Sequence, residues 1–355
     1  MNPLESSPAL LGNRRGLLAG GNWIVDHVKI IDAWPPQDAL ASISREWSGN
    51  GGAPYNVLKN LAKLGASFPL AAVGLVGDDS DGRAILADCR AHGIDVARLG
   101  TTPEAPTSYT DVMTVKSTGR RTFFHQRGAN ALLGPGQFDF GKTRARLFHL
   151  GYLLLLDGLD AAGPDGRPAA ADVLSRARAA GLLTSLDCVS ENSDRLAAIA
   201  NPVLPEVDYF FANDFEAEKV TGVALRRAGE IDAGAVACAA QKLIEAGVRR
   251  WAILHFPEAA FARSAKGEEV WQPSLRVPAA EIKGAAGAGD ALAAGALYGL
   301  HEGWPMERSL HLGVCVAAAS LSHPTCSDGI CPLDQCLALA DRLGFQVNAF
   351  PPRRR

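Results

Sequence analysis

The sequence predicts an α/β protein with a doubly wound, mostly parallel sheet, helices on both faces and a small projecting β-sheet lid. Three observations support this fold class. Apolar runs of strand length alternate with helical patterns along most of the 355 residues. Such alternation produces parallel strands whose connecting helices cover both faces of the sheet. Two stretches break the alternation with consecutive strands, and polar, glycine-marked turns follow several strands.

The core elements follow one another as strand and helix. The strand FPLAAVGLVG precedes the helix SDGRAILADCRAHG, and the strand LFHLGYLLL precedes the helix AAADVLSRARAAG. The strands LLTSLD and VDYFFAN, the helix GAVACAAQKLIEAG and the strand RRWAILHF come next. Because no internal repeat or low-complexity linker divides the chain, we predict one domain over residues 16–345, with tails at 1–15 and 346–355.

Two stretches have the pattern of strand, turn and strand instead. They are NWIVDHVKIID and TSYTDVMTVKSTGRRTFFHQ, and Ser117-Thr118-Gly119 supplies the turn in the second. Such strands do not belong inside a parallel, doubly wound core. We therefore predict a separate small sheet, here called the lid, formed by about 22–48 and 105–127. A projecting sheet of this kind is typical of a cover over a site or of a dimer interface.

Composition and charge exclude several classes of partner. The formal net charge is −3 and hydrophobic residues make up 47% of the chain, so nothing favours nucleic acid or an anionic membrane as the main partner. No apolar run approaches the roughly 18 uncharged residues of a membrane span. The seven cysteines are consistent with reduced thiols in the cytoplasm, where we place the protein. The spacing of Cys326, Cys331 and Cys336 matches no zinc pattern, which favours small, partly buried side chains.

The segment GAAGAGDALAAG, residues 284–295, carries the clearest indication of chemistry. Its first three glycines let the backbone turn tightly and leave its N–H groups unobstructed. If a helix begins near Asp290, these donors add to the positive end of the helix dipole and form an anion site, most often for phosphate. The alternative is that Asp290 only caps the helix. The order G-x-x-G-x-G is not the dinucleotide fingerprint G-x-G-x-x-G.

Three further turns accompany this loop. GGAPYN at 51–56 leads into a helix, HQRGAN supplies Asn130 after a glycine, and ANDFEAEKVTG places Asn213 and Glu216 three residues apart. Each has a structural alternative, such as turn chemistry for the first and a helix N-cap with Glu216 at the third helical position for the last. Ligands of open α/β sheets bind outside the carboxyl ends of the strands. We therefore predict that these turns form one site.

These segments resemble the ribokinase-like, or PfkB-type, carbohydrate kinases from about Leu17 to about Leu343, in the family's order. GNWIVDH resembles the opening strand, and GGAPYNVLKNLAKLG through VGLVGDDSDG resembles the first family signature. RGANALL resembles the end of the lid, ANDFEAEKVTG the N-x-x-E motif, and GAGDALAAG the second signature. The resemblance implies a ribokinase-like fold and ATP-dependent transfer of the γ-phosphoryl group to a hydroxyl of a sugar or polyol.

The resemblance also implies roles for the matching residues. Asp290 is the general base that accepts the hydroxyl proton, because a sugar hydroxyl is otherwise a poor nucleophile. The loop N–H groups stabilise the transferring phosphoryl group, and Mg²⁺ bridges the nucleotide phosphates, held largely through water by Asn213 and Glu216. The residues of the anion loop are Gly287, Ala288 and Gly289. The implied substrate-binding residues are Asp26, Gly51, Gly52, Asn56 and Asn130.

The sequence departs from the family on the nucleotide side. The second signature usually begins with Asp-Thr, and Gly284 and Ala285 stand there instead. That aspartate helps to organise a monovalent-cation site in many relatives, so we predict no activation by potassium. In WAILHFPEAAFA, Leu254 replaces the threonine of a T-L-G-x-x-G nucleotide segment, and Phe256 and Ala259 replace its glycines. Phe256 either stacks on the base of a nucleotide or blocks it.

Three functions therefore stay open at the level of sequence. The intact base and anion loop favour an active sugar or polyol kinase. The replacements Leu254, Phe256 and Gly284 favour a sugar-binding protein that has lost phosphoryl transfer, and no feature excludes a nucleoside kinase. We also expect a homodimer through the lid, because a projecting sheet leaves one apolar face and its edges uncovered.

Overall fold

The computed structural model describes residues 14–191 and 193–346. The predicted tails therefore lie almost entirely outside the described residues. No helix in these two ranges is both long enough and apolar enough to cross a bilayer. The strands are Leu17–Gly21 (β1), Ile24–Ile31 (β2), Ile43–Gly51 (β3), Leu70–Gly77 (β4), Asp95–Thr102 (β5), Ser108–Val115 (β6), Arg121–Gln126 (β7), Leu147–Leu153 (β8), Leu183–Cys188 (β9), Tyr209–Asn213 (β10), Arg226–Arg227 (β11), Glu230–Ile231 (β12), Trp251–Phe256 (β13), Ala259–Ser264 (β14) and Glu269–Pro273 (β15).

Among the described residues, α-helices lie in six of the fourteen connections between these strands, and three more helices follow β15. The α-helices are Ala53–Lys63 (α1), Ser80–Ala91 (α2), Asp157–Asp160 (α3), Ala169–Ala179 (α4), Arg195–Ala200 (α5), Asp214–Thr221 (α6), Ala233–Glu245 (α7), Ala288–His301 (α8), Met306–Ser320 (α9) and Leu333–Leu343 (α10).

Nine strands form the main sheet, in the order β15-β14-β13-β10-β9-β8-β1-β4-β5. All neighbours from β13 to β5 are parallel, and β13, β14 and β15 form an antiparallel edge. Alternate residues of each buried strand face opposite layers: Leu17 and Ala19 pack on one side, and Leu18 packs on the other. Helices α1, α2, α8, α9 and α10 cover the first side, and α4, α6 and α7 cover the second. The predicted doubly wound, mostly parallel fold is confirmed.

Helix α8 is the most enclosed element of the first layer. Every residue from Asp290 to His301 is buried, which fits its alanine- and glycine-rich sequence. It packs closely on α9, where a Cβ at Gly295 would lie 2.8 Å from the Gly313 Cα atom. Small residues thus let the two helices approach backbone to backbone, and the position of the α8 N-terminus is fixed by its packing.

The lid is a separate four-stranded sheet in the order β3-β2-β6-β7. The strand β2 pairs with β6 in parallel, and the other two pairs are antiparallel. The predicted turn at Ser117-Thr118-Gly119 joins β6 to β7, where the Gly119 N–H donates to the Val115 carbonyl at 2.8 Å. Several large apolar side chains remain exposed on this sheet and its β2–β3 loop, among them Phe124 of β7 and Trp34 of the loop, whose rings stack with centroids 6.0 Å apart.

Candidate active site

Polar side chains from several neighbouring elements surround the N-terminus of α8. Tyr152 lies near the end of β8, Asp187 near the end of β9, Asn213 at the end of β10, and His255 near the end of β13. Parallel strands bring their carboxyl ends to one edge of the sheet, so residues distant in sequence become neighbours there. Asp290, in the first turn of α8, is the residue around which this edge is organised.

The Asp290 carboxylate is almost fully enclosed, with 3% of the residue exposed. Its Oδ2 accepts a hydrogen bond from Asn56 Nδ2 at 2.8 Å, and the Tyr152 hydroxyl lies 2.7 Å from both carboxylate oxygens. Burial raises the pKa of Asp290 to about 6, while the donors Tyr152 and Asn56 oppose that rise. Asp290 makes no capping bond to the backbone of α8. The simple capping role is therefore not what the structure shows.

The anion loop has the conformation that its glycines permit. Gly287 precedes α8 with φ of 74°, in the left-handed region, and a Cβ there would overlap the Cys326 side chain. Ala288 and Gly289 are the first residues of the helix, whose leading N–H groups have no intrahelical partner and carry the positive end of the dipole. A Cβ at Gly289 would lie 3.0 Å from the His255 ring. The loop therefore places the Gly289 backbone beside the half-buried His255 imidazole, while the Ala288 N–H makes a long hydrogen bond of 3.5 Å to the Ala285 carbonyl.

Asp26 approaches the same centre from the lid. Its carboxylate accepts from the Thr110 side chain, and burial together with the nearby charge of Asp290 raises its pKa to about 7. A Cβ at Gly51 would overlap the Asp26 Oδ2 atom, and a Cβ at Gly52 would overlap the Asn22 carbonyl oxygen. The two glycines thus allow the lid strand and α1 to close tightly around the Asp26 carboxylate.

Asn213 and Glu216 form the capping box that was the structural alternative for this motif. Asn213 Oδ1 accepts from the Glu216 N–H at 2.8 Å, and Glu216 Oε2 accepts from the Asn213 N–H at 3.0 Å. The Ser190 hydroxyl donates to Glu216 Oε1 at 2.7 Å. Burial raises the pKa of Glu216 to about 7, and burial together with the charge of Glu216 raises that of Asp187 well above its usual range. Two carboxyl groups are thus held together where a cation would stabilise their ionised forms.

Two cavities open on either side of the loop from Ile282 to Gly289. The larger has a volume of about 1000 Å³ and is lined in part by Asn213, His255, Ala288 and Gly289. The smaller has a volume of about 360 Å³ and lies between the lid and the loop, with Asp26 in its wall. Both cavities include Ile282 and Ala285 in their linings, so the glycine loop is their common wall.

Not every predicted residue lies where the sequence placed it. The Asn130 side chain is fully buried and is used by the backbone of Trp23, which donates to its Oδ1 and accepts from its Nδ2, both at 3.1 Å. It braces the connection between β1 and β2 and is not part of the wall of the smaller cavity. Gly51, Gly52, Asn56 and Asp290 likewise belong to the site without lining that cavity.

The departures from the family pattern at Phe256 and Gly284 have a structural explanation. Phe256 is buried against Trp271, with ring centroids 6.4 Å apart. It forms part of the wall of the larger cavity and does not fill that cavity. At Gly284 a Cβ would lie 3.0 Å from the Pro324 Cα atom and 3.2 Å from the His323 carbonyl oxygen. The backbone at His323–Pro324 therefore occupies the space into which an aspartate side chain at 284 would project.

Sequence reasoning missed Tyr152, Asp187, Ser190 and His255. Tyr152 and Asp187 stand near the carboxyl ends of strands that the sequence predicted, and the strand-end rule that singled out Asn213 also applies to them. The cysteines are free thiols, and the Cys331 and Cys336 sulfurs lie 3.3 Å apart. Among the described residues no group of three or more histidine, cysteine or acidic side chains is arranged to hold a metal directly.

The fold and the site define a class of α/β proteins in which a glycine loop at a helix N-terminus separates a large cavity from a small one. Comparison with known proteins identifies the family. Residues 21–332 match the profile described as pfkB family carbohydrate kinase, which spans most of the chain. The chain belongs to this family and is a carbohydrate kinase of ribokinase-like fold.

Individual relatives support the same classification. The chain is 26% identical over 290 residues to a 5-dehydro-2-deoxygluconokinase of Geobacillus thermodenitrificans, covering 80% of this chain and 82% of the relative. Its fold is similar to that of Arabidopsis thaliana ribokinase complexed with ribose and ATP, with a TM-score of 0.74 and 20% identity over 92% of this chain and 98% of that one. A putative ribokinase II of E. coli in complex with ATP and Mg²⁺ gives a TM-score of 0.70 at 18% identity, over 92% and 99% of the two chains.

Proposed function

We propose that this protein transfers the γ-phosphoryl group of ATP to a hydroxyl of a sugar or related polyol, with Asp290 as the general base. One observation carries the proposal. A buried carboxylate stands at the N-terminus of α8, on a glycine loop that separates a large cavity from a small one. Such a loop stabilises phosphoryl charge, and a carboxylate next to it can accept the proton of the attacking hydroxyl.

The larger cavity fits the nucleotide. Its volume of about 1000 Å³ lies at the upper end of the usual range for ligand pockets, and apolar side chains such as Leu275 and Val277 line much of it. The N–H groups of Ala288 and Gly289 open at its inner end, where the triphosphate would lie. When bound, ATP supplies the electrophilic phosphorus and the leaving group.

A magnesium ion fits beside this cavity through water. Both Glu216 oxygens already accept hydrogen bonds from Asn213 or Ser190, so neither is free to enter the inner shell of an ion without breaking the capping box. Mg²⁺ keeps much of its water shell, and those waters can donate to Asp187 and Glu216. The raised pKa values of these two carboxyls support the presence of a cation in the working complex.

The chemistry assigned to the chain itself is proton transfer and charge stabilisation. The acceptor hydroxyl lies in the smaller cavity and donates to Asp290 Oδ1, which only the Tyr152 hydroxyl contacts, whereas Oδ2 also accepts from Asn56. As the new O–P bond forms and the bond to the leaving group breaks, the hydroxyl proton passes to Asp290. The loop N–H groups stabilise the charge on the equatorial oxygens. Closure of the lid excludes water as a competing acceptor.

Two further features belong to the proposal. The exposed apolar face of the lid, with Trp34 and Phe124, supports a homodimer formed by two lids. The seven unpaired cysteines are consistent with the cytoplasmic location that we predict.

The direct test is Asp290→Asn, assayed by ADP release with Mg²⁺, ATP and a panel of sugars, polyols and nucleosides. We expect kcat to fall by about three decades or more, because the amide keeps the shape of the carboxylate but accepts no proton. Binding of the acceptor should survive. Asp334→Asn is the matched control, since Asp334 is an exposed acidic residue in the first turn of α10. A variant at Asp290 with near wild-type turnover would exclude it as the base.

A further inference from the structure

The inner face of the lid presents its side chains to the smaller cavity in three rows. Alternate residues of a strand share a face, and the strand register fixes which ones are neighbours. In the innermost row, Asp26 lies opposite Gly49. The middle row is mostly apolar, with Val28 beside Trp47 on β3 and Val112 beside Phe123 on β7.

The outermost row ends in Arg121, which pairs with Thr114 across β6 and β7. Its side chain lines the same cavity as Asp26, and its guanidinium carbon lies 5.9 Å from the centroid of the Phe123 ring. Within residues 14–191 and 193–346 the guanidinium forms no ion pair or hydrogen bond. An arginine carries five N–H donors and accepts none, so a half-buried one without a partner is set to bind an acceptor group.

A second unpaired donor belongs to the middle row. Trp47 Nε1 is buried and has no hydrogen-bond partner among the described residues, although Trp47 lines the cavity. An indole N–H can only donate. At the inner end the polarity is reversed, because the Asp26 carboxylate that lines the cavity there accepts hydrogen bonds. Ligand hydroxyl groups can donate hydrogen bonds at this inner end, whereas the outer end favours a ligand group that accepts hydrogen bonds.

Arg121 is not the ion-pair partner of Asp26. No Arg121 nitrogen lies within the 4.0 Å of an ion pair to that carboxylate, and the two residues stand two rows apart. Its charge lowers the pKa of Asp26 only in part, since that pKa remains raised to about 7. The arginine therefore keeps its charge and its donors available to a ligand.

We propose that the acceptor is an anionic sugar derivative whose carboxylate or phosphate is bound by Arg121 and the Trp47 N–H while its reacting hydroxyl lies at Asp290. Both anions accept two parallel hydrogen bonds from a guanidinium, so the geometry is common to a sugar acid and a sugar phosphate. The inference rests on the proposed phosphoryl transfer and specifies the class of its acceptor.

The experiment compares Arg121→Gln with wild type on three acceptors: 5-dehydro-2-deoxygluconate, ribose 1-phosphate and neutral fructose. We expect wild type to prefer one of the two anionic acceptors, and which one identifies the anion as carboxylate or phosphate. Arg121→Gln should lower kcat/KM for that acceptor about ten- to one-hundred-fold, the range of a lost charged hydrogen bond, mainly through KM. Fructose should change less than threefold. Arg120→Gln, at the exposed neighbouring residue, is the control and should alter neither.

The outcomes separate this inference from the proposed function. The anion site would be overturned if wild type had the same kcat/KM on fructose as on both anionic acceptors. It would also be overturned if Arg121→Gln lowered kcat/KM equally for all three acceptors. If no acceptor is turned over, calorimetric titration of the two anionic sugars into Asp290→Asn decides the point. Binding that Arg121→Gln removes upholds the anion site although the kinase proposal fails, and absence of binding rejects the site.

Discussion

Asp26→Asn should make the folded protein more stable while it weakens the binding of the acceptor. Burial and the charge of Asp290 raise the pKa of Asp26 from 3.8 to about 7. Because the folded value is the higher one, the native state holds a proton that the unfolded chain has lost between about pH 4 and 7. The free energy of unfolding of the wild type therefore falls as pH rises through this window. The free energy of unfolding of Asp26→Asn lacks this decrease, because the amide does not ionise.

The size of the effect follows from the pKa change. About three units at 1.36 kcal/mol each give about 4 kcal/mol at pH 8, where the carboxylate is ionised in both states. At pH 5 only about 2 kcal/mol applies, because the native carboxyl is still protonated. The gain in stability should thus grow by about 2–3 kcal/mol between pH 5 and pH 8, whatever the constant contribution of the new amide.

Urea unfolding followed by tryptophan fluorescence at the two pH values measures this difference. Asp38→Asn, in the exposed loop between β2 and β3, is the control and should show no such pH dependence. A stability difference that stays the same at pH 5 and pH 8 would refute the assignment of Asp26 as a buried, costly carboxylate. The same variant should bind the acceptor about 1.5–3 kcal/mol more weakly, because a charged hydrogen bond to a hydroxyl is lost.

Three other predictions follow from the site and the lid. Tyr152→Phe removes a hydrogen-bond donor that lowers the pKa of Asp290, so the acid limb of the pH profile of kcat should move to higher pH. The loss of kcat should therefore be greater at pH 6 than at pH 9. An equal loss of kcat at all pH values would argue against this role of Tyr152. Replacing potassium by tetramethylammonium at fixed ionic strength should change turnover less than threefold, because Gly284 offers no carboxylate, and a tenfold drop would show that a cation site survives. Light scattering at micromolar concentration should give twice 37.3 kDa, and Phe124→Glu should give the monomer; a wild-type monomer would contradict the lid dimer.

The elements that sequence patterns predicted well are those with a strong local cause. Most of the buried parallel strands are short apolar runs, the starts of α1, α2, α6, α7 and α8 coincide with glycine or capping residues, and the lid strands alternate. The edge hairpin was missed, because Ala259–Ser264 continues the apolar composition of β13 after the two-residue turn Pro257-Glu258 and gives no separate pattern. Local composition therefore predicted the core strands better than their antiparallel extension.

The contacts within the site depend on tertiary placement, which one sequence does not encode locally. Tyr152 and Asp290 are 138 residues apart, and their hydrogen bonds exist only because β8 ends where α8 begins. Asn130 is the converse case, because the sequence singled it out for a contact that its neighbours take up. An amide after a glycine suggested a ligand contact, yet the backbone of Trp23 uses both of its polar atoms. A polar residue at a strand end is thus a candidate for the site, and its neighbours decide its role.

The close contact of Gly295 with Gly313 bears on how inherited or engineered variants of this enzyme should be interpreted. An added methyl group at either position would push α8 away from α9, more than a full turn of helix from Asp290. Misplacement of a reacting group by a fraction of an ångström is enough to slow a reaction severely. Such a variant would lose stability and catalytic rate together, although none of the residues that touch the ligands has changed.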